Sequence, residues 1–559
     1  MNTMLKKGGV FVCFVFLGVY LLCEAQNNTS GYLRMAYEAH KRGLYEISNS
    51  QIEKHIKENK DSADIDYAHL LYAINNIYLE DFNKAIESLN IIREKRPESA
   101  FFKDATSYLI LTHLKTGNLP LALSLYADYE DRFSADTFLE EQIAQTLFSA
   151  ATTKFREGDI KTSRELFNII STKFSSSEYL PLSLYYQALT YYQNNEFTKA
   201  AKLLKSASDI SNSITQKEIV ADIYLKLGDC FFNERDYASA EHFFNRVRTE
   251  FPDTVFSTLA SFQISLIEKR RGNLDKAVSI LEGLKTSHEE DVHYKVLAEL
   301  ANVKMLQEKW TESETYLKEI TELPVEAINL AEVHLKLGVV NFNMGNFEDA
   351  IIYFRNVVGS PASKAVKESA IFWLGYTYYI KNLFNDAVTT WDRLRIEYPE
   401  SKYIHEILFS TGKQLYETKN YAEAEKELSE LITGYPDSSF YQSAAEMLID
   451  SKIQQGKLND ALDICEMFLE TQTSATVSFL YGKTLFLLKD FKKAKEALEQ
   501  IQSNKPSEQV EVAYYLAGIH ERQGEITKAQ EKYLEIITFF PEYTDWTKQA
   551  EEKLKQLKK

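Results

Sequence analysis

The feature that most constrains this chain is that it repeats itself. "YPESKY" at 398–403 is answered 37 residues later by "YPDSSF" at 435–440, and the recurrence extends along nearly the whole sequence. In "LFNDAVTTW" (383–391) and "NYAEAEKEL" (420–428) an apolar residue stands three before an alanine, and another stands four after it. Taking that small residue as an anchor gives Ser48, Ala85, Ala122, Ser163, Ala200, Ala240, Ala277, Ser313, Ala350, Ala387, Ala424, Ala461, Ala494 and Ala529. Most steps are 37 residues; those leading to Ser163 and Ala240 are 41 and 40. A period of this length marks a stacked-repeat architecture, in which each unit buries its apolar face against its neighbours.

Other positions keep the same phase. The residue three before the anchor is aromatic in nine units, among them Tyr45, Phe82, Phe197, Tyr237, Trp310 and Phe347. Twelve before it a small residue recurs (Ala188, Gly228, Gly338, Gly375, Gly412, Gly482), and twelve after it stand Pro97, Pro252, Pro399, Pro436, Pro506 and Pro541. Apolar residues at three- and four-residue spacing mark one face of a helix, and each unit holds two such segments, so each unit reads as a helical hairpin. Gly or Asn ahead of the aromatic, as at Gly117, Asn195 and Gly456, suits the turn between the helices, and the prolines are expected to end the second helix. The small residues let the two helices approach closely. Acidic and hydroxyl residues after each proline suit caps for the next helix.

This order of small residue, turn, aromatic, Ala, apolar residue and Pro resembles the tetratricopeptide repeat, most closely in 221–253, 368–400 and 405–437. Ile110 and Ile449 depart from it where a small residue is expected. The joint motif, aromatic-Pro-acid-hydroxyl-x-aromatic, is similar to that of bacterial envelope members of the family. Among these are the lipoprotein of the outer-membrane barrel-assembly machine and the periplasmic coordinator of the Tol-Pal system. The resemblance implies an all-α fold: a right-handed α-solenoid of about fourteen hairpins, continuous over 26–543. A C-terminal capping helix follows at 544–559, where Trp546, Ala550, Leu554 and Leu557 share one face of an otherwise charged segment. It also implies a partner-binding inner surface lined by first helices. Carried over by phase, the candidate contacts are Tyr185, Tyr192, Phe232, Phe342, Phe372, Tyr376, Tyr379, Phe409 and Tyr416, with Asp229, Asn343 and Lys413 beside them. "GYTYYIKN" (375–382) stands out, because Tyr376, Tyr378 and Tyr379 exceed what one helix face can bury.

The N-terminus reads as a leader, with Lys6 and Lys7 before the apolar run Val10 to Leu22 and a small-x-small site at Cys23 and Ala25. Cleavage before Gln26 gives a signal peptide of 1–25 and places the protein in the periplasm or on the periplasmic face of the outer membrane. Lipidation at Cys23 is the alternative, making the chain a lipid-anchored subunit of an outer-membrane machine; self-assembly through the solenoid ends is another.

Net charge of −17 repels a phosphate backbone, so nucleic acid is not expected as a partner. The chain holds only fragments of catalytic motifs. "GKT" at 482–484 lacks the first glycine of a phosphate loop, Val477 standing in its place, and "HEILF" at 405–409 has Phe409 where a zinc helix needs its second histidine. Cys230 and Cys465 read as core residues rather than nucleophiles. The sequence thus predicts a non-catalytic scaffold for protein or peptide partners, with no cofactor, metal or small-molecule substrate.

Overall fold

The computed structural model describes residues 31–285, 290–324, 326–501 and 505–558. The expected leader, Cys23 included, lies outside these residues. Among the described residues there are 29 α-helices and one short 3-10 helix, Ser211–Ser213, and no strand. They belong to two compact units, residues 1–293 and 294–559. Within each unit the helices pair as antiparallel hairpins, and at all fourteen anchors the second helix begins three residues earlier, as in Phe82–Lys95, Tyr237–Glu250, Phe384–Glu397 and Ile526–Phe539.

The turn inside each hairpin is the same backbone device. Five residues before the anchor φ is positive, at Gly117 (75°) and Gly456 (76°) but also at Arg235 (65°) and Lys419 (62°). Glycine adopts this region freely and other L-residues at a cost of roughly 1–2 kcal/mol, so hairpin packing enforces the conformation where glycine is missing. One residue later Asp81, Asp159, Asp236 and Asp490 accept the backbone N–H of Lys84, Thr162, Ser239 and Lys493, capping the second helix.

The helix–helix seam explains the small residues. A Cβ on Gly228 would lie 2.3 Å from the Phe244 ring, one on Gly338 2.4 Å from Phe354, and one on Gly375 2.4 Å from the Trp391 indole. The position twelve before the anchor therefore faces the one four after it. Gly482 belongs to the same seam, against Leu498, within the helix Ala475–Leu487. At Ile449 the register sets Cys465 opposite, so the bulk has changed sides; both are fully buried. Where the anchor is serine its hydroxyl donates across the seam: Ser48 to the Ala36 carbonyl (2.7 Å), Ser163 to Ala151 (2.9 Å) and Ser313 to Ala301 (3.0 Å). Phe244, Phe354 and Trp391 are essentially inaccessible to solvent, each burial stabilising by about 2–3 kcal/mol.

The recurrent joint sentence is a stacking device. Ser401 accepts the backbone N–H of Tyr403 (3.2 Å), and Tyr403 stacks on Phe372 with centroids 4.2 Å apart. In the next copy Ser438 accepts from Phe440 N–H (3.2 Å), and Phe440 stacks on Phe409 at 4.5 Å. Thr254 does act as a helix cap, accepting from Ser257 N–H.

Proline at this joint follows the second helix at Pro97, Pro252, Pro399, Pro436 and Pro541, but Pro506 departs from expectation. There the second helix is only Phe491–Glu499, and Pro506 opens the next first helix, Pro506–Arg522, where its missing N–H costs nothing. The two longer steps are also accounted for: Thr137–Glu157 is a 21-residue first helix, and the 3-10 turn Ser211–Ser213 precedes the 17-residue helix Lys217–Asn233. The last helix, Thr544–Leu557, buries Ala550 and packs Trp546, Leu554 and Leu557 on the preceding hairpin.

Candidate functional site: the first-helix face

Positions eight, eleven and fifteen before the anchor lie three or four apart on the first helix and share one face. The aromatic eight before the anchor closes its own hairpin by packing on the one three before it. Tyr192 meets Phe197 at 5.7 Å, Phe232 meets Tyr237 at 5.6 Å and Phe342 meets Phe347 at 5.5 Å. Tyr379 meets Phe384 at 5.7 Å, and Tyr416 meets Tyr421 at 5.8 Å.

The same residue also reaches forward to the following hairpin, eleven before that hairpin's anchor. In the first unit the Tyr192 hydroxyl donates to Asp229 Oδ2 (3.0 Å), and a parallel rung joins the Tyr185 hydroxyl to Asp222 Oδ2 (2.6 Å). In the second unit Tyr416 donates to Asp450 Oδ2 (2.8 Å), Phe342 packs on Tyr376 with centroids 5.7 Å apart, and Phe486 is 3.2 Å from where a Cβ on Gly518 would stand. Lys483 continues the chain, 3.9 Å from Asp450 and 3.2 Å from Glu511.

Burial and the neighbouring carboxylates push the Tyr185, Tyr192 and Tyr416 phenols well above their usual range, so these hydroxyls stay protonated donors. Burial likewise raises Asp229, partly offset by Lys226 and the Tyr192 hydroxyl. Lys226 lies 4.8 Å over the Tyr192 ring.

The nine candidate residues therefore divide. Phe372 (3% exposed) and Tyr185 (8%) are core residues, and the remaining seven are half-buried. Tyr192 and Tyr416 have their hydroxyls occupied by the next hairpin. Phe409 is covered on one side by Phe440. The structure brings Phe342, Tyr376 and Tyr379 together as one aromatic row, Tyr376 and Tyr379 being 6.2 Å apart and nearly parallel. Tyr378 does not compete for this face: it is buried, and its hydroxyl accepts from Arg355 Nη2 (2.7 Å). The acceptors Asp222 and Asp450 were not among the candidates, although their distance from the tyrosines, 37 and 34 residues, carries the signal of one repeat less three.

Little else has chemical character. Among the described residues no group of three His, Cys, Asp or Glu could hold a metal ion, and no helix is long and apolar enough to cross a membrane. Cys230 and Cys465 are fully buried, and burial pushes both thiols up to about 12. His405 sits between the Tyr435 and Phe440 rings.

Tetratricopeptide-repeat families match residues 185–253 and 331–362, two stretches that show the hairpin, seam and turn geometry described above. The chain is a tetratricopeptide-repeat (TPR) protein. The family described as outer membrane lipoprotein, YfiO, matches residues 405–559, so the C-terminal part of this TPR protein resembles that family. No curated protein matches the chain. Similar solved structures include the C-terminal part of a TPR repeat-containing protein from Cytophaga hutchinsonii, with 17% identity, 46% of this chain and 96% of that one covered, and a TM-score of 0.37. Yeast Tom70 is 15% identical over 84% of this chain and 95% of its own, with a TM-score of 0.31. Pseudomonas aeruginosa pilF is 14% identical over 40% and 93%, with a TM-score of 0.33. Scores of this size carry no argument about role.

Proposed function

We propose that this TPR protein is a non-catalytic scaffold of the bacterial cell envelope that holds protein or peptide partners against its first-helix face. The observation that carries the reading is the aromatic row Phe342, Tyr376 and Tyr379. It is half-buried, and among the described residues the hydroxyls of Tyr376 and Tyr379 bond no protein group, in contrast to those of Tyr185, Tyr192 and Tyr416. Tyrosine in that state offers a broad apolar face with a donor still to be satisfied, the character of residues that dominate protein contacts. The leader at 1–25 and the resemblance of 405–559 to an outer membrane lipoprotein family support a place in the periplasm or on the periplasmic face of the outer membrane.

Affinity capture from the native cells tests this, comparing wild type with Tyr376→Ala plus Tyr379→Ala. The expected result is an envelope protein retained by wild type and lost in the variant; equal capture by both, or recovery of the chain alone, contradicts it. The lipoprotein resemblance also favours a second reading, a lipid anchor at Cys23. The intact mass of the envelope form decides between them: cleavage before Gln26 without acyl mass supports the soluble form, and an acylated N-terminal cysteine supports the anchored one.

A further inference from the structure

The forward rung of the first-helix face has a fixed register. Tyr416 and its acceptor Asp450 are 34 residues apart, Phe342 and Tyr376 are also 34 apart, and Tyr192 and Asp229 occupy the same two positions across a longer step. Applied to Tyr379, this register leads to Lys413. A cation thus stands where two other hairpins supply a carboxylate, and among the described residues the Tyr379 hydroxyl bonds no protein group. Among the described residues Lys413 itself has only an exposed pairing along its own helix with Glu417, 3.8 Å away, with side chains 41% and 53% exposed. Such a pair is weak and readily exchanged. Burial, and after it the Glu417 carboxylate, raises the Tyr379 phenol, which therefore remains a donor, and the carboxylate that a partner brings would exchange with Glu417.

Resting on the scaffold reading above, we propose that this rung is completed by the partner. The missing member is a side-chain carboxylate, an Asp or Glu of an extended segment lying across Tyr376, Tyr379 and Lys413. The ammonium and the phenol would both donate to it, and the Phe342 and Tyr376 rings would flank the apolar residues beside it. Charge complementarity selects this occupant: a basic segment would meet Lys413, and an uncharged one would leave Lys413 with its exposed Glu417 pairing and nothing to exchange it for. The protein's net charge of −17 opposes acidic segments in general, so a local cation is needed to hold one.

The test uses the full chain on an array of random decapeptides with acetylated and amidated ends, so that side chains supply every carboxylate. Wild type is expected to retain peptides with one Asp or Glu about tenfold over matched peptides with Lys or Arg. Lys413→Asp is expected to abolish that preference while melting no lower than wild type. Binding without acidic preference, an unchanged preference in Lys413→Asp, binding only to a parallel set with free C-termini, or no binding at all would each overturn the proposal. Binding that is lost in Tyr376→Ala plus Tyr379→Ala but shows no acidic preference would leave the scaffold reading standing and remove this inference alone.

Discussion

The hairpin Lys217–Glu250 and the hairpin Ile404–Gly434 present the same register to the hairpin before them and answer it with opposite charges. Asp229 accepts the phenol of Tyr192 and closes the rung; the register that leads from Tyr379 reaches Lys413, a cation, in place of a carboxylate. Everything beneath is alike: the glycine seam, the positive-φ turn and the aromatic closing pair are shared. The difference teaches that a TPR first-helix face is not uniformly available for binding. Much of it is spent on holding neighbouring hairpins together, and the proposed partner is placed where the repeat omits its own acceptor.

The seam gives the largest expected effect and tests the claim that the two regions share a core. Phe244→Ala and Trp391→Ala should each cost about 3–5 kcal/mol in urea unfolding. Gly228→Ala and Gly375→Ala should each cost about 1–3 kcal/mol by overpacking. In the second case the shift also disturbs the indole N–H bond to the Phe372 carbonyl (3.2 Å). Unequal costs in Lys217–Glu250 and in Lys364–Glu397, the hairpin that carries Tyr379, would break the comparison at its base.

The rung itself separates the regions. Tyr192→Phe removes a bonded hydroxyl and should cost about 1 kcal/mol, whereas Tyr379→Phe should change thermal stability by less than about 0.5 kcal/mol. Closing the open rung with Lys413→Asp should raise stability by about 1 kcal/mol, and a double-mutant cycle with Tyr379→Phe should return that gain.

A pH series sharpens the contrast. The Asp229 carboxyl is raised above 3.8 in the folded state, so its protonated form favours folding. Its contribution is complete below 3.8 and is lost as pH rises through the folded value. Asp229→Asn should remove that slope from urea midpoints of the wild type, and Lys413→Ala should leave it in place.

The smallest effect concerns turns: Lys419→Gly should gain roughly 0.5–1 kcal/mol by relieving φ = 62°, while the same change at Lys413, inside a helix, should lose a similar amount.

The repeat was legible in the sequence because its constraints are local and recur in phase. The aromatic three before the anchor starts a second helix in every hairpin where it occurs, and the glycines face the bulky residues sixteen positions later. Pro506 was misread because proline at the end of one helix and at the start of the next look alike in sequence; the short helix Phe491–Glu499 decides which. The candidate face was legible only by phase. Phase placed Phe372 and Tyr376 on one helix face, but their fates depend on residues from other segments: Tyr403 covers Phe372, and among the described residues no acceptor from the next hairpin reaches Tyr376. The Tyr–Asp rungs were missed because each spans two hairpins, a spacing that becomes a contact only once consecutive hairpins stack.

The most direct test of the central claim places a photo-crosslinking amino acid singly at 376, 379, 352 and 396 in the full-length protein in its native envelope. Positions 352 and 396 are exposed sites on second helices, Ile352 at 55% and Ile396 at 80%. The account predicts a defined protein adduct from 376 and 379 and none from 352 and 396. Adducts confined to 352 and 396, or equal at all four, would contradict it.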